Sequence, residues 1–193
     1  MPLGGGVEAQ RFALPHVSGI VRTLATNLDH LKPWMVWASP ENATVEAQIE
    51  RLKICDRGWD HGGDSVWDSE AGFDYTLVDT ATDEVVGACG LMTRQGRPDL
   101  EIGCWVARQA LGRGIAKSLA KALQAQAWRF ADVDSVVWLC DDLNEASAAV
   151  ALKSGFEFVG VLDEPPPNVA VSSDRVQLWR VERPKSGEIS SQN

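Results

Sequence analysis

The stretch Arg108–Ala116, RQALGRGIA, has two glycines one residue apart, Gly112 and Gly114, and then turns apolar. Glycine lets a backbone approach a ligand closely and take positive φ at no steric cost. A helix that starts here has first-turn N–H groups without internal acceptors, and its dipole favours negative charge beside them. Arg108 and Arg113 add mobile positive charge. A pyrophosphate fits such a nest, and a tight strand-to-helix turn that binds nothing fits the same residues. Two nucleotide templates fail on it. The dinucleotide pattern GxGxxG/A needs a small third residue where Lys117 stands. The GxxxxGK[ST] loop needs glycines at positions held by Leu111 and Ala116.

Other chemistry-bearing residues lie on both sides of this loop. Glu101 precedes it in DLEIGCWVA, two residues before Gly103. Asn144 and Ser147 open NEASAAVALKSG, where Asn144 reads as an ordinary helix N-cap and Ser147 as a serine bonding nearby backbone. Asp163 and Glu164 follow FEFVGVL as a second carboxylate pair; these and Glu101 read equally as surface charges. Eight tryptophans stand against one tyrosine, Tyr75. Trp105, Trp128, Trp138 and Trp179 fall in apolar elements and read as core. Trp34, Trp37, Trp59 and Trp67 fall in weakly periodic segments, where flat rings with one polar handle suit a substrate cleft as well as a core.

The elements that must position these residues follow from periodicity. VEAQRFAL predicts a short strand. HVSGIVRTLATNLDHL places Val17, Ile20, Leu24 and Leu28 at helical intervals, and TVEAQIERLKICDRG predicts a second helix stopped by Gly58. A long loop, RGWDHGGDSVWDSEAG, holds Asp60, Asp64, Asp68 and Glu70, acidic enough to receive a cation. FDYTLVDTATDEVVGACGLMTR predicts a hairpin and DLEIGCWVA a further strand. After the glycine loop, Ile115, Leu119, Leu123 and Ala127 share one helix face. SVVWLC is a buried strand, NEASAAVALKSG a helix closed by Gly155, and FEFVGVL and RVQLWRVER are strands. The order β–α–α–β–β–β–α–β–α–β–β mixes hairpins with one strand–helix–strand unit, an α/β chain with a mixed sheet. Residues 1–193 read as one domain with a core of about 7–183 and frayed tails at 1–6 and 184–193.

The ordered set Gln109, Gly112 and Gly114 after a strand, then Asn144 and Ser147 opening a helix, then SGFEFVG, resembles the GCN5-related N-acetyltransferase (GNAT) superfamily. NLDHLKPWMVWA, DEVVGACGL and LEIGCWVARQALGRGIAKSLAKAL resemble its Rim-type branch, whose members acetylate N-terminal α-amines of ribosomal proteins, with relatives acting on small amines. The likeness runs from about residue 14 to 182. It departs in VEAQRFAL, a poor version of the usual start, and in the proline-rich DEPPPNVAVSSD, whose Pro165 to Pro167 cannot donate to a ladder. Both departures touch the acceptor side.

The resemblance implies a mostly antiparallel central sheet flanked by helices, with one splayed strand pair. It implies acetyl transfer from acetyl-CoA, by direct attack, to a primary amine on a protein N-terminus or a small molecule. Backbone of Trp105, Val106 and Ala107 would hold the pantetheine arm, with an N–H near Trp105 or Val106 polarising the thioester oxygen. Gln109, Leu111, Gly112, Arg113, Gly114, Ile115 and Ala116 would cradle the pyrophosphate, and Asn144 would lie near the pantetheine. Ser147 would stabilise the leaving thiolate by hydrogen bond, the tyrosine route of other members being closed with Tyr75 alone in an early strand. Glu101 is the first choice of base, directly or through a water. A homodimer is common in the family. A CoA-binding sensor without turnover is the rival reading, and a nucleotide-phosphate enzyme with a degenerate loop is a third.

Composition bounds these readings. A net charge of −9 argues against a nucleic-acid surface and suits a cationic partner, though many soluble enzymes are simply acidic. Cys55, Cys89, Cys104 and Cys140 form no CxxC pair and have no histidine at ligand spacing, so no metal site is expected. MPLGGGVEAQ lacks the pattern of a signal peptide, and no apolar run reaches the roughly 20 residues of a membrane span, so a cytoplasmic protein is expected.

Overall fold

The computed structural model describes residues 1–60 (57–60 as backbone), 72–93, 95–96, 98–164 and 174–185. Eight strands form one sheet: β1 (Pro2–Leu3), β2 (Val7–Arg11), β3 (Phe73–Asp79), β4 (Val85–Met92), β5 (Asp99–Val106), β6 (Ser135–Asp141), β7 (Glu157–Leu162) and β8 (Val176–Glu182). Four α-helices accompany them: α1 (Val17–Leu31), α2 (Val45–Asp60), α3 (Ile115–Ala127) and α4 (Glu145–Lys153). The strand order is β1-β2-β3-β4-β5-β6-β8-β7. Every pairing is antiparallel except β5 with β6.

The sheet separates two apolar layers. On one face, Ile115, Leu119 and Leu123 of α3 and Ala151 of α4 pack on Leu77, Leu91, Leu100 and Ile102. On the other, Val17, Ile20, Leu24 and Leu31 of α1 and Leu52 and Cys55 of α2 cover Val85 and Trp105. The i, i+3, i+4, i+7 spacing of the α1 residues buries a single stripe, worth about 1.5–3 kcal/mol for each fully covered side chain. Alternation along β5 then sorts its side chains: Leu100, Ile102 and Val106 face α3, while Trp105, and with it Glu101 and Gly103, faces the α1–α2 side.

Two local expectations change. Residues 1–6 are not a frayed tail: Pro2 and Leu3 pair with Glu8 and Val7, around Gly5 and Gly6 at φ of 72° and 69°. Glycine composition marked the turn and hid the strand. Gly58 does not stop α2, which runs to Asp60; one glycine costs a helix only about 1 kcal/mol. Residues 61–71, which carry Trp67, Asp64, Asp68 and Glu70, lie outside the described residues, as do the side chains of Trp59 and Asp60. So do Pro165 to Pro167 and residues 186–193.

Candidate active site

The parallel ladder between β5 and β6 runs from Asp99–Ser135 to Ile102–Trp138 and stops. β5 continues to Val106 and β6 to Asp141, so beyond this point their facing edges lack each other as partners. The side of β5 facing β4 stays paired, and Ala107 extends it by donating its N–H to Val86 O at 2.8 Å. Backbone groups alternate along a strand, so Trp105 directs its N–H and C=O toward β4, as Ala107 does, and Cys104 and Val106 direct theirs to the open side. Of the two positions anticipated for a backbone donor, Val106 is thus the one that faces the gap.

A cavity of about 670 Å³ opens at this divergence. Glu101, Gly103 and Trp105 line it from β5, and Trp138, Cys140, Asn144 and Ser147 from β6 and α4. Trp34, Met35 and Trp37 form an apolar wall after α1, where Trp37 meets Trp105 edge-on with ring centroids 6.5 Å apart. The cavity collects Glu101, Trp105, Asn144, Ser147, Trp34 and Trp37 from three separate parts of the chain.

Glu101 is 2% exposed, and its Oε2 accepts from Gln95 Nε2 at 2.7 Å. Asp163 and Glu164 are exposed and do not line the cavity, and Arg175 lies 3.8 Å from Asp163 Oδ1. That alternative carboxylate pair therefore belongs to the surface. Asn144 caps α4 by accepting from Ser147 N–H at 3.0 Å while also facing the cavity. The Ser147 hydroxyl accepts from the Trp138 indole N–H at 3.0 Å. Burial pushes the Cys140 thiol up to about 11, with the polar side chains of Ser147 and Trp179 pulling partly the other way. Tyr75 packs against the α3 side of the sheet, and burial pushes its phenol up to about 12.

The glycine loop continues directly from β5. Arg108–Ala110 form one 3-10 turn, and Gly112 and Gly114 take φ of 75° and 76°. Gly114 is the left-handed N-cap of α3, with no side-chain cap, and the first helical bond is Ser118 N–H to Gly114 C=O. The N–H groups of Ile115, Ala116 and Lys117 are therefore the ones left over by helix geometry. A Cβ on Gly112 or Gly114 would meet nothing within 4 Å. These glycines are required by conformation, not by crowding within the chain.

The two arginines are not mobile charges. Arg113 donates to Gly5 O at 2.5 and 3.1 Å and pairs with Asp79 at 2.7 Å, tying the loop to the β1–β2 turn. Arg108 pairs with Asp29 of α1 at 2.8 Å, and its backbone N–H donates to Asn27 Oδ1, also at 2.8 Å. Asn27 is 2% exposed and had no place in the sequence reading. Its helical spacing from Ile20 and Leu24 puts it on the buried stripe, and a polar residue there is the signal that marks it.

Asp74 and Arg51 also went unread. Asp74 lies in register with Gly90, and Gly90 with Gly103, on the α1–α2 face. Its carboxylate takes Arg51 at 2.5 Å and the Cys55 thiol at 3.1 Å. All three side chains line the cavity. An acidic residue on a strand face that helices cover was the available signal. Among the described residues no cluster of His, Cys, Asp or Glu could hold a metal ion, and no helix is long and apolar enough to cross a membrane.

Known structures share this architecture along nearly the whole chain. RimL, a ribosomal L7/L12 alpha-N-protein acetyltransferase in complex with coenzyme A, is 20% identical at a TM-score of 0.75, over 94% of this chain and 96% of that one. The ribosomal-protein-S5-alanine acetyltransferase from Vibrio fischeri is 16% identical at 0.77, over 92% and 93%. The microcin C7 self-immunity acetyltransferase MccE, in complex with acetyl-CoA and AMP, is 16% identical at 0.73, over 95% and 98%. No curated protein sequence matches. At these identities the likeness shows the fold. The acetyltransferase (GNAT) domain model matches residues 20–157, and the chain belongs to that family of acetyltransferases.

Proposed function

We propose that the chain moves an acetyl group from acetyl-CoA to a primary amine on a peptide N-terminus or a small molecule, which enters on the tryptophan side of the cavity. The observation that carries this reading is the divergence of β5 and β6 after Ile102–Trp138, with Glu101 on one strand and Ser147 across the gap. The chain's residues fit the cosubstrate. Cys104 and Val106 offer strand-edge groups to an amide-bearing arm, and the uncapped start of α3 offers N–H groups to a pyrophosphate. Bound there, acetyl-CoA supplies an activated acetyl thioester. Val106 N–H is placed to polarise a carbonyl oxygen at the open edge. Glu101, buried and held by Gln95, accepts the proton the amine gives up, directly or through a water. Ser147 donates to the departing sulfur.

The relatives named above that act on ribosomal proteins support a peptide α-amine acceptor. So does the wall of Trp34, Met35 and Trp37, which suits the apolar flank of a peptide end. The test is a thiol-release screen with N-terminal peptides beside polyamines and aminoglycosides. Release with peptides first establishes the reading. Tight CoA binding with no release from any amine would replace it with a CoA sensor.

A further inference from the structure

We infer that Trp138 is a positioning residue for the leaving-group side of the reaction: its indole N–H fills one lone pair of Ser147 and so fixes the serine hydroxyl as a donor toward sulfur. The inference rests on the acetyl-transfer reading of the same cavity and adds a residue to it.

Geometry supports it at each step. Trp138 is the last β6 residue in register with β5, so its indole stands where the two strands begin to part. It is 4% exposed, paired in register with Trp179 of β8, and meets Phe156 edge-on at 6.0 Å between ring centroids. This packing leaves the ring little freedom. Its Nε1 donates to Ser147 Oγ at 3.0 Å, and both residues line the cavity. Ser147 is fixed from its other end, because its backbone N–H is held by Asn144.

The chemistry follows from donor and acceptor counts. An indole N–H only donates, whereas a serine hydroxyl offers one proton and two lone pairs. With one lone pair occupied by Trp138, the Ser147 proton is the group left to point away from the indole. Donation into an oxygen also polarises its own O–H bond and strengthens the next hydrogen bond in the chain. Alternation along β6 sets Trp138 and Cys140 on the same face, and both line the cavity with Ser147. The hydroxyl is thus held by nitrogen on one side, with its one proton left for an acceptor in the cavity. During transfer the amine nitrogen bonds to the acetyl carbonyl carbon, the C–S bond breaks, and its electron pair passes to sulfur. The amine proton leaves by way of Glu101, and Ser147 donates a hydrogen bond to the sulfur while keeping its own proton.

The experiment is a double-mutant cycle on the full chain with acetyl-CoA and the acceptor found in the thiol-release screen. Trp138→Phe is expected to lower kcat about threefold to tenfold, the range of one neutral hydrogen bond, and to leave KM for acetyl-CoA nearly unchanged. Ser147→Ala lowers kcat further, and the double variant matches Ser147→Ala alone. Unchanged kcat in Trp138→Phe, or losses that multiply in the double variant, overturns the inference. If Trp138→Phe does not fold, benzothienylalanine at 138 keeps the shape and removes the N–H. A second readout needs no turnover: the thiol pKa of bound CoA, followed by its ultraviolet thiolate absorbance. Trp138→Phe and Ser147→Ala should both raise it, and equal values in wild type and variants overturn the inference. Absence of turnover in the wild type sinks the acetyl-transfer reading and leaves this titration to decide the role of Trp138.

Discussion

Replacing Gly112 tests whether the loop before α3 works through its conformation. Gly112 has a φ of 75° and open space where a side chain would go. Alanine there meets no atom of the chain and still carries the left-handed penalty of roughly 1–2 kcal/mol. The penalty has two places to appear. If the loop keeps its path, the native state is destabilised, and Tm falls by about 2–8 °C for a chain of this size. If the loop relaxes, CoA must restore the path on binding, and Kd rises about 5- to 30-fold at 1.4 kcal/mol per decade. The two losses together should come to the same roughly 1–2 kcal/mol. Asparagine is the decisive comparison, since it tolerates left-handed geometry better than alanine and is the larger side chain. Conformational control predicts that Gly112→Asn loses less than Gly112→Ala, by calorimetric titration with CoA and thermal melts. Asparagine worse than alanine would mean that bulk against the ligand is what excludes side chains. Wild-type stability and affinity in Gly112→Ala would refute the requirement altogether.

Glu101→Gln keeps the shape of a buried side chain and removes its basicity; kcat should fall by roughly 10²–10⁴ with CoA affinity unchanged, and an unchanged kcat removes Glu101 from the mechanism. Asn27→Leu leaves the Arg108 N–H without its acceptor, at a cost of about 1–3 kcal/mol; weaker CoA binding alongside a lower Tm is expected, and a melt identical to wild type would show that the tether is idle. Cys140, with its thiol pushed up to about 11, has only about 3 in 10,000 molecules as thiolate at pH 7.5. Its alkylation should quicken roughly tenfold per pH unit up to about pH 10, and a plateau near neutrality contradicts the assignment. Burial also raises the thiols of Cys55 and Cys89. The unfolded chain then gives up these protons first, so stability should decline as pH climbs above the ordinary thiol range, near 8.5. Urea midpoints that hold steady between pH 8 and 10 would count against this.

Strands and helices were legible where one periodicity ran long enough: α1 and α3 show in their apolar stripes, β4 and β5 in their β-rich runs. The short β1 was not, because two residues carry no period and their pairing is decided by the turn at Gly5 and Gly6. Within the site, the glycine loop and the Asn144–Ser147 pair stood out because each is local in sequence. Asp74, Arg51, Asn27 and the Trp138–Ser147 bond did not, because each depends on register across strands or on a helix laid over the sheet. The loop arginines were misread for the same reason: their partners, Asp29 and Asp79, lie 79 and 34 residues earlier in the chain.

The short ladder from Asp99–Ser135 to Ile102–Trp138 has a consequence for how the molecule yields. Strands β1–β5 pair antiparallel in chain order, β6 and β7 both pair antiparallel with β8 between them, and within the sheet that ladder is what joins the two groups. Opening along such a line exposes few backbone bonds, so it is a natural boundary between cooperative units in native-state hydrogen exchange. A ligand spanning the gap acts as a staple across it. At a concentration 100 times its Kd it adds about 2.7 kcal/mol of protection, and the gain should appear in the exchange rates of amides beside the line before it appears at either edge of the sheet.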